Sequence, residues 1–248
     1  MENCRVECLS QELSEKQIQF NNAMQRYRSL ARYQVFNFAV SSANVSLQAC
    51  LLYLVWPVSI GPVGQAVAIV ISVLLTDFIN GLVHMMMDNN DRYDSIFGPF
   101  IANFHLHHKV LQYKKRPLPV VYFNETGSKI WLVGYLLFVL LLFKMGQLQP
   151  LAAHIFVYVG ILSSLAEVSH YLAHSSAAPL TLFLGSLKLI LPKRHHARHH
   201  LQDNQNYAFL NGMTDPLLNL LARGWYPGYK KTTDTHYAFY APDDLESR

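Results

Sequence analysis

Four long runs with almost no charge constrain this chain more than any other feature. Residues 34–56, 62–84, 130–148 and 151–174 are apolar nearly throughout, with Asp77, Lys144 and Glu167 as the only charged interruptions. Each approaches the ~20 residues that a helix needs to cross a bilayer. Inside lipid the backbone must satisfy its own polar groups, which leaves helices or closed barrels, and these runs are too long for barrel strands. The expectation is an all-α integral membrane protein with about four transmembrane helices, plus interfacial and cytoplasmic helices carrying a His-rich metal site. Composition agrees, since 51% of the residues are hydrophobic and only 15% charged, against about 25% charged in soluble domains. A nucleic-acid binder would gather its basic residues in a domain free of long apolar spans. Here they sit between the spans.

The placement of those basic residues predicts a topology. Arg26, Arg28 and Arg32 precede the first run, Lys114, Lys115 and Arg116 lie between the second and third, and Lys193, Arg194 and Arg198 follow the fourth. The short turns at 59–61 and 145–150 contain no Lys or Arg. By the positive-inside rule both termini and the middle connection are cytoplasmic, and four spans make this consistent. The first 33 residues are polar, without the apolar region of a signal peptide, so insertion is expected to begin at the first run. They read as a solvated or interfacial lead-in helix, residues 34–221 as the membrane domain and 222–248 as a C-terminal tail. The apolar stretch Leu180–Leu191 is too short to span and suits an in-plane helix. Cys4, Cys8 and Cys50 form no disulfide framework.

Ten of the twelve histidines fall into motifs at the ends of these runs. They are His84 in DFINGLVHMMMD, His105, His107 and His108 in HLHH, His170 and His174 in HYLAH, and His195, His196, His199 and His200 in HHARHH. The predicted topology brings all ten to the cytoplasmic side. Positions i and i+4 share a helix face, which aligns His170 with His174, His196 with His200, and His84 with Asp88. Neutral imidazole is a favoured ligand for iron, copper and zinc. Eight or more histidines without cysteine exceed the four ligands of a structural zinc site and point to two metals. Asp77 and Glu167 are candidate acceptors for a ligand's N–H, and Glu167 is also a candidate ligand. HHARHH beside Lys193 and Arg194 also admits a bland reading as a patch for anionic headgroups. His154 and His236 read as capping or surface residues.

The ordered set TDFINGLVH (76–84), an HH pair, HYLAH (170–174) and LPKRHHARHH (191–200) resembles the Kua family of membrane lipid desaturases, the plasmanylethanolamine desaturase or CarF-like group. The resemblance runs from about Leu74 to Leu221, with milder support from FNET (123–126) and NGMTDPLLNLL (211–221). It implies an O2-dependent oxidoreductase with two iron ions, a membrane phospholipid substrate and an external electron donor of the cytochrome b5 or ferredoxin type. It implies desaturation of an alkyl or acyl chain, with plasmanyl to plasmenyl lipid as one form. Carried onto this sequence, the catalytic ligands are His84, His107, His108, His170, His174, His196, His199 and His200, with Asp88 and His195 as further metal-binding positions. Val121 and Tyr122 stand where some relatives have another histidine, and His105 is an extra histidine able to compensate. A lipid hydroxylase with a similar site, or a non-catalytic metal-binding membrane protein, are the alternative readings.

Overall fold

The computed structural model describes residues 2–108, 113–202 and 204–226. Lys109, His236 and most of the expected C-terminal tail therefore lie outside the described residues. Within them the chain is all-helical: α1 (Glu2–Ser29), α2 (Ala31–Val55), α3 (Gly61–Asp88), α4 (Gly98–His105), a 3-10 turn (Leu106–His108), α5 (Leu118–Thr126), α6 (Ile130–Lys144), α7 (Pro150–Ser175), α8 (Pro179–Ser186), α9 (Lys193–Leu201) and α10 (Asp215–Trp225).

Three helices, α2, α3 and α7, are each long and apolar enough to cross a membrane. The expected third span differs from a straight helix. α6 has 15 residues, roughly 22 Å at 1.5 Å per residue, which falls short of a hydrocarbon core of about 30 Å. It makes a fourth crossing only together with α5, from which it is bent by 87°. The connection between the second and third apolar runs thus contains α4, the 3-10 turn and α5.

The break between α5 and α6 exposes backbone polar groups, and buried side chains answer them. Asn44 Nδ2 donates to the carbonyls of Thr126 (3.4 Å) and Lys129 (3.1 Å). Ser41 Oγ donates to the Phe123 carbonyl at 2.6 Å. Irregular backbone at membrane depth is tolerated only with such internal partners. Lys129 itself turns inward, against the habit of a charge at a span's edge. Its ammonium pairs with Glu167 Oε1 at 2.9 Å, donates to the Ser163 carbonyl at 2.8 Å and also donates to Asn80 Oδ1. Glu167 is therefore a partner for Lys129, not an acceptor for a ligand histidine as the sequence suggested.

α3 and α7 run parallel in close contact. Ser72 Oγ meets the Ile155 carbonyl at 3.1 Å, and Asn80 Nδ2 meets Ser163 Oγ at 3.0 Å, two contacts at one constant sequence offset. Parallel packing brings the C-terminal ends of α3 and α7 together, and these ends carry His84, Asp88, His170 and His174.

The lead-in helix is less solvated than expected. Phe20, Ala23, Met24 and Tyr27 share one face of α1 and are buried with Tyr93, Ile101, Ala102 and Leu106. Ile18 and Leu30 remain exposed. The in-plane segment is helical only to Ser186, because Lys188 adopts a left-handed backbone at φ 54°. Leu180, Leu182, Phe183, Leu187 and Leu189 stay exposed there, as an interfacial segment requires.

Removing one member of a buried ion pair leaves the other charge uncompensated. Lys129→Ala is expected to destabilise the protein by about 3–5 kcal/mol, whereas Lys129→Met with Glu167→Leu recovers most of that loss. Thermal unfolding of both variants in detergent, with the Glu167→Leu single variant completing the cycle, measures the difference.

Candidate metal centre

Two adjoining groups of buried ligand atoms occupy the shared end of α3 and α7. The first comprises His84, Asp88, His107, His108 and His199, and the second His170, His174, His196 and His200. Within each group one ligand atom per residue lies within 4.8 Å of every other. Across the groups, the rings of His108 and His200 are 4.8 Å apart and those of His107 and His170 5.4 Å.

The first group is oriented by backbone. Nδ1 of His84 lies 2.7 Å from the Tyr207 carbonyl, that of His107 2.6 Å from the Phe104 carbonyl and that of His199 2.8 Å from the Gln205 carbonyl. A carbonyl cannot donate, so each Nδ1 carries a proton, and a neutral ring in this tautomer turns an Nε2 lone pair into the site. Those three Nε2 atoms and Asp88 Oδ2 are buried without a hydrogen-bond partner. His84 Nε2 and His199 Nε2 nevertheless stand 3.0 Å and 3.3 Å from Asp88 Oδ2. With these rings neutral, Nε2 lone pairs face the Asp88 carboxylate, an arrangement that a cation between them resolves.

The second group is a chain of four Nε2 atoms: His170 to His174 at 3.2 Å, His174 to His196 at 2.8 Å and His196 to His200 at 2.9 Å. Two metal–nitrogen bonds of about 2.1 Å at a right angle separate their nitrogens by about 3.0 Å, which matches these spacings. Ring stacking holds this group: His170 on Phe209 (centroids 4.2 Å, interplanar 11°) and His174 on Tyr113 (4.3 Å, 13°). Burial, reinforced by neighbouring histidines, holds His107, His196 and His200 well below the ordinary imidazole pKa. These rings stay neutral near pH 7, the form that binds metals. The donor set of nitrogen with one carboxylate and no sulfur suits a first-row transition metal such as iron.

Three acidic or histidine side chains do something other than the sequence suggested. Asp77 does not orient a ligand imidazole. Its Oδ1 accepts the backbone N–H groups of Leu210, Asn211 and Gly212, and its Oδ2 accepts both the N–H and the hydroxyl of Thr214. His195 lies outside both ligand groups, because its Nε2 meets Asp215 Oδ2 at 2.5 Å. His105 also stands apart and cannot compensate for a missing ligand. Its Nε2 faces the Met87 carbonyl at 2.8 Å, so Nδ1 accepts from the Tyr93 hydroxyl at 2.6 Å.

Sequence reasoning missed Asp215, whose place before Pro216 reads as an ordinary helix start. The structure buries it, with Oδ1 on the Ala208 N–H at 2.9 Å and Oδ2 on His195. Asp215 thereby ties α9 to the segment whose Gln205 and Tyr207 carbonyls orient His199 and His84. That segment approaches α3 at Gly81, where an added Cβ would lie 2.3 Å from Leu218 Cδ1 and 3.3 Å from Ala208 Cα.

The fold and this site define a multi-helix protein of membrane type with a histidine-rich centre able to hold two metal ions. The chain belongs to the lipid desaturase domain family, whose family model matches residues 73–223, more than half of its length. The matched segment contains every member of both ligand groups. Comparison with curated proteins and with solved structures gives no significant match.

Purified protein is expected to carry two transition-metal ions per chain, and His170→Ala to carry about one, as read by elemental mass spectrometry against protein concentration. Asp77→Ala strands buried donors that cost about 1–3 kcal/mol each when unpaired. A loss of more than about 3 kcal/mol is expected in detergent unfolding.

Proposed function

We propose that the protein is an O2-dependent desaturase of phospholipid chains, using two iron ions held by His84, Asp88, His107, His108 and His199 on one side and His170, His174, His196 and His200 on the other. The observation that carries this reading is the pair of adjoining, buried, lone-pair-bearing ligand groups at the end of long apolar helices, within a lipid desaturase domain. When bound, iron supplies O2 activation strong enough to break an unactivated C–H bond. The protein's own residues prepare the place. The Tyr207, Phe104 and Gln205 carbonyls fix three imidazole tautomers before any ion arrives. Asp88 contributes negative charge to the first group. Phe209, packed against both His84 and His170, helps to exclude water. The exposed aliphatic residues of α3, among them Val67, Val70, Ile71, Leu74 and Leu75, suit a lipid chain arriving laterally.

The motif resemblance favours conversion of a plasmanyl alkyl ether into the plasmenyl vinyl ether, and an external carrier of the cytochrome b5 or ferredoxin type as electron source. The distribution of Lys and Arg favours a cytoplasmic position for the ligand-bearing ends and both termini.

Lipid mass spectrometry tests the reading. A host lacking such an enzyme expresses the chain or its His199→Ala variant and is fed alkyl-ether and acyl phospholipids. The expected outcome is a product lighter by two hydrogens with the intact chain, reduced at least about a hundredfold by His199→Ala. A product carrying added oxygen would make the protein a hydroxylase. Metal bound without any product in any lipid class would make it a non-catalytic relative.

A further inference from the structure

The element that carries more of the ligands than any other, three of the nine, is also a thin wall between the site and its surroundings. α9 turns His196, His199 and His200 inward and leaves Lys193, Arg194, Ala197, Arg198 and Leu201 exposed. It is the one described element that serves both groups, with His199 in the first and His196 and His200 in the second. A helix with its side chains is about 10–12 Å across, so anything resting on the outer face of α9 lies within about that distance of ligands of both groups. α3 and α7, the other helical suppliers, carry their ligands at the ends of apolar helices.

The outer face of α9 is laid out for a transient protein contact. Ala197 and Leu201, the latter 66% exposed, run down its middle. Lys193 flanks them on one side, Arg194 and Arg198 on the other, following 100° per residue. The helix contains no acidic residue, and no described residue forms an ion pair with any of these three cations. A second basic stretch, Lys114, Lys115 and Arg116, is exposed on the Tyr113 side of the second group. The Arg116 N–H is fixed there by the Tyr171 hydroxyl at 2.6 Å. An apolar centre with a charged rim is how electron-transfer partners meet, because charge steers encounter and a small apolar contact lets them part.

We propose that the exposed face of α9 is the docking surface for a small acidic one-electron carrier protein, which reduces the metal centre across this helix. The proposal rests on the desaturase reading above. That reaction is –CH2–CH2– + O2 + 2 e⁻ + 2 H⁺ → –CH=CH– + 2 H2O. The substrate gives up two hydrogen atoms and O2 takes four electrons. The two electrons not drawn from the lipid come from two carrier molecules, each oxidised once, and the two protons come from solvent. An anionic lipid headgroup would also neutralise these cations, but it supplies no electrons. The neighbouring α8 offers a larger exposed apolar surface for the lipid interface, with Leu180, Leu182 and Phe183.

The test uses the full-length, metal-loaded protein in nanodiscs. The probes are pre-reduced soluble haem domain of cytochrome b5 and pre-reduced plant-type ferredoxin. Stopped-flow carrier oxidation under O2 is followed as ionic strength rises, for the intact protein, for Arg194→Glu with Arg198→Glu, and for Arg194→Gln with Arg198→Gln. Single-turnover product after dithionite reduction is measured alongside.

With at least one carrier, the double Glu variant is expected to lower the second-order rate at low salt by about tenfold or more. The Gln variant falls between it and the intact protein, salt removes the differences, and the dithionite product is unchanged. Equal carrier rates and salt dependence in all three proteins would overturn the proposal. So would a dithionite defect as large as the carrier defect, or an effect that appears only as a changed lipid KM in anionic nanodiscs, which marks a headgroup surface. Salt-dependent carrier oxidation that the Glu variant impairs, with no desaturated lipid from any protein, would keep the docking surface and refute the desaturase reading instead.

Discussion

Three backbone carbonyls decide what the first ligand group is. By accepting from Nδ1 of His84, His107 and His199, the carbonyls of Tyr207, Phe104 and Gln205 hold a proton on the same nitrogen of three rings. Their Nε2 lone pairs then converge, with the Asp88 carboxylate, in a volume closed to water. Such a set of acceptors repels itself unless a cation joins it. The arrangement persists because the carbonyl-bearing segments are themselves pinned. Asp77 gathers the 210–214 turn, Asp215 holds Ala208 and His195, and Gly81 lets the 205–208 segment lie against α3. The ligands sit on helices, and the precision of their orientation comes from the loop that follows α9.

A second buried polar system sits beside the first. The broken span between α5 and α6 brings Lys129 into the helix bundle, where Glu167, Asn80 and Ser163 receive it. Gln48 adds to the same interior by donating to the Gly160 carbonyl and Ser164 Oγ while accepting from Tyr122. In a medium that offers no water, each of these groups must find its partner within the protein. The network therefore fixes how α2, α3, α5 and α7 sit against each other. Lys129 lies 5.8 Å from the centre of the Phe209 ring, which stacks on His170 at 4.2 Å. Bundle and metal centre thus share a wall.

Much of the architecture was legible in the residues. Apolar run length identifies α2, α3 and α7 as candidate spans, because the spanning requirement is a property of length and polarity alone. The i, i+4 spacings place His170 with His174 and His196 with His200 on common faces, as the second group shows. The third run was harder to read. Its leucines continue as sequence to Leu148, but the helix stops at Lys144, and the turn at 127–129 bends α5 away. Hydropathy does not register a break whose carbonyls are satisfied by Asn44 and Ser41 more than eighty residues earlier.

What the sequence determined by itself is therefore an all-helical, membrane-type chain with imidazoles massed near the ends of its apolar runs. Those features follow from local periodicity and from side-chain chemistry. Only the tertiary structure decided how the imidazoles divide into two groups, which nitrogen of each ring is free, and that His105 and His195 stand apart on Tyr93 and Asp215. It likewise decided that Asp77 closes a turn and that Glu167 answers Lys129. A carboxylate's or imidazole's role is set by which donor or acceptor reaches it. For His195, Glu167 and Asp77 those partners come from segments 20 to 137 positions away, a distance over which spacing along the chain carries no geometry.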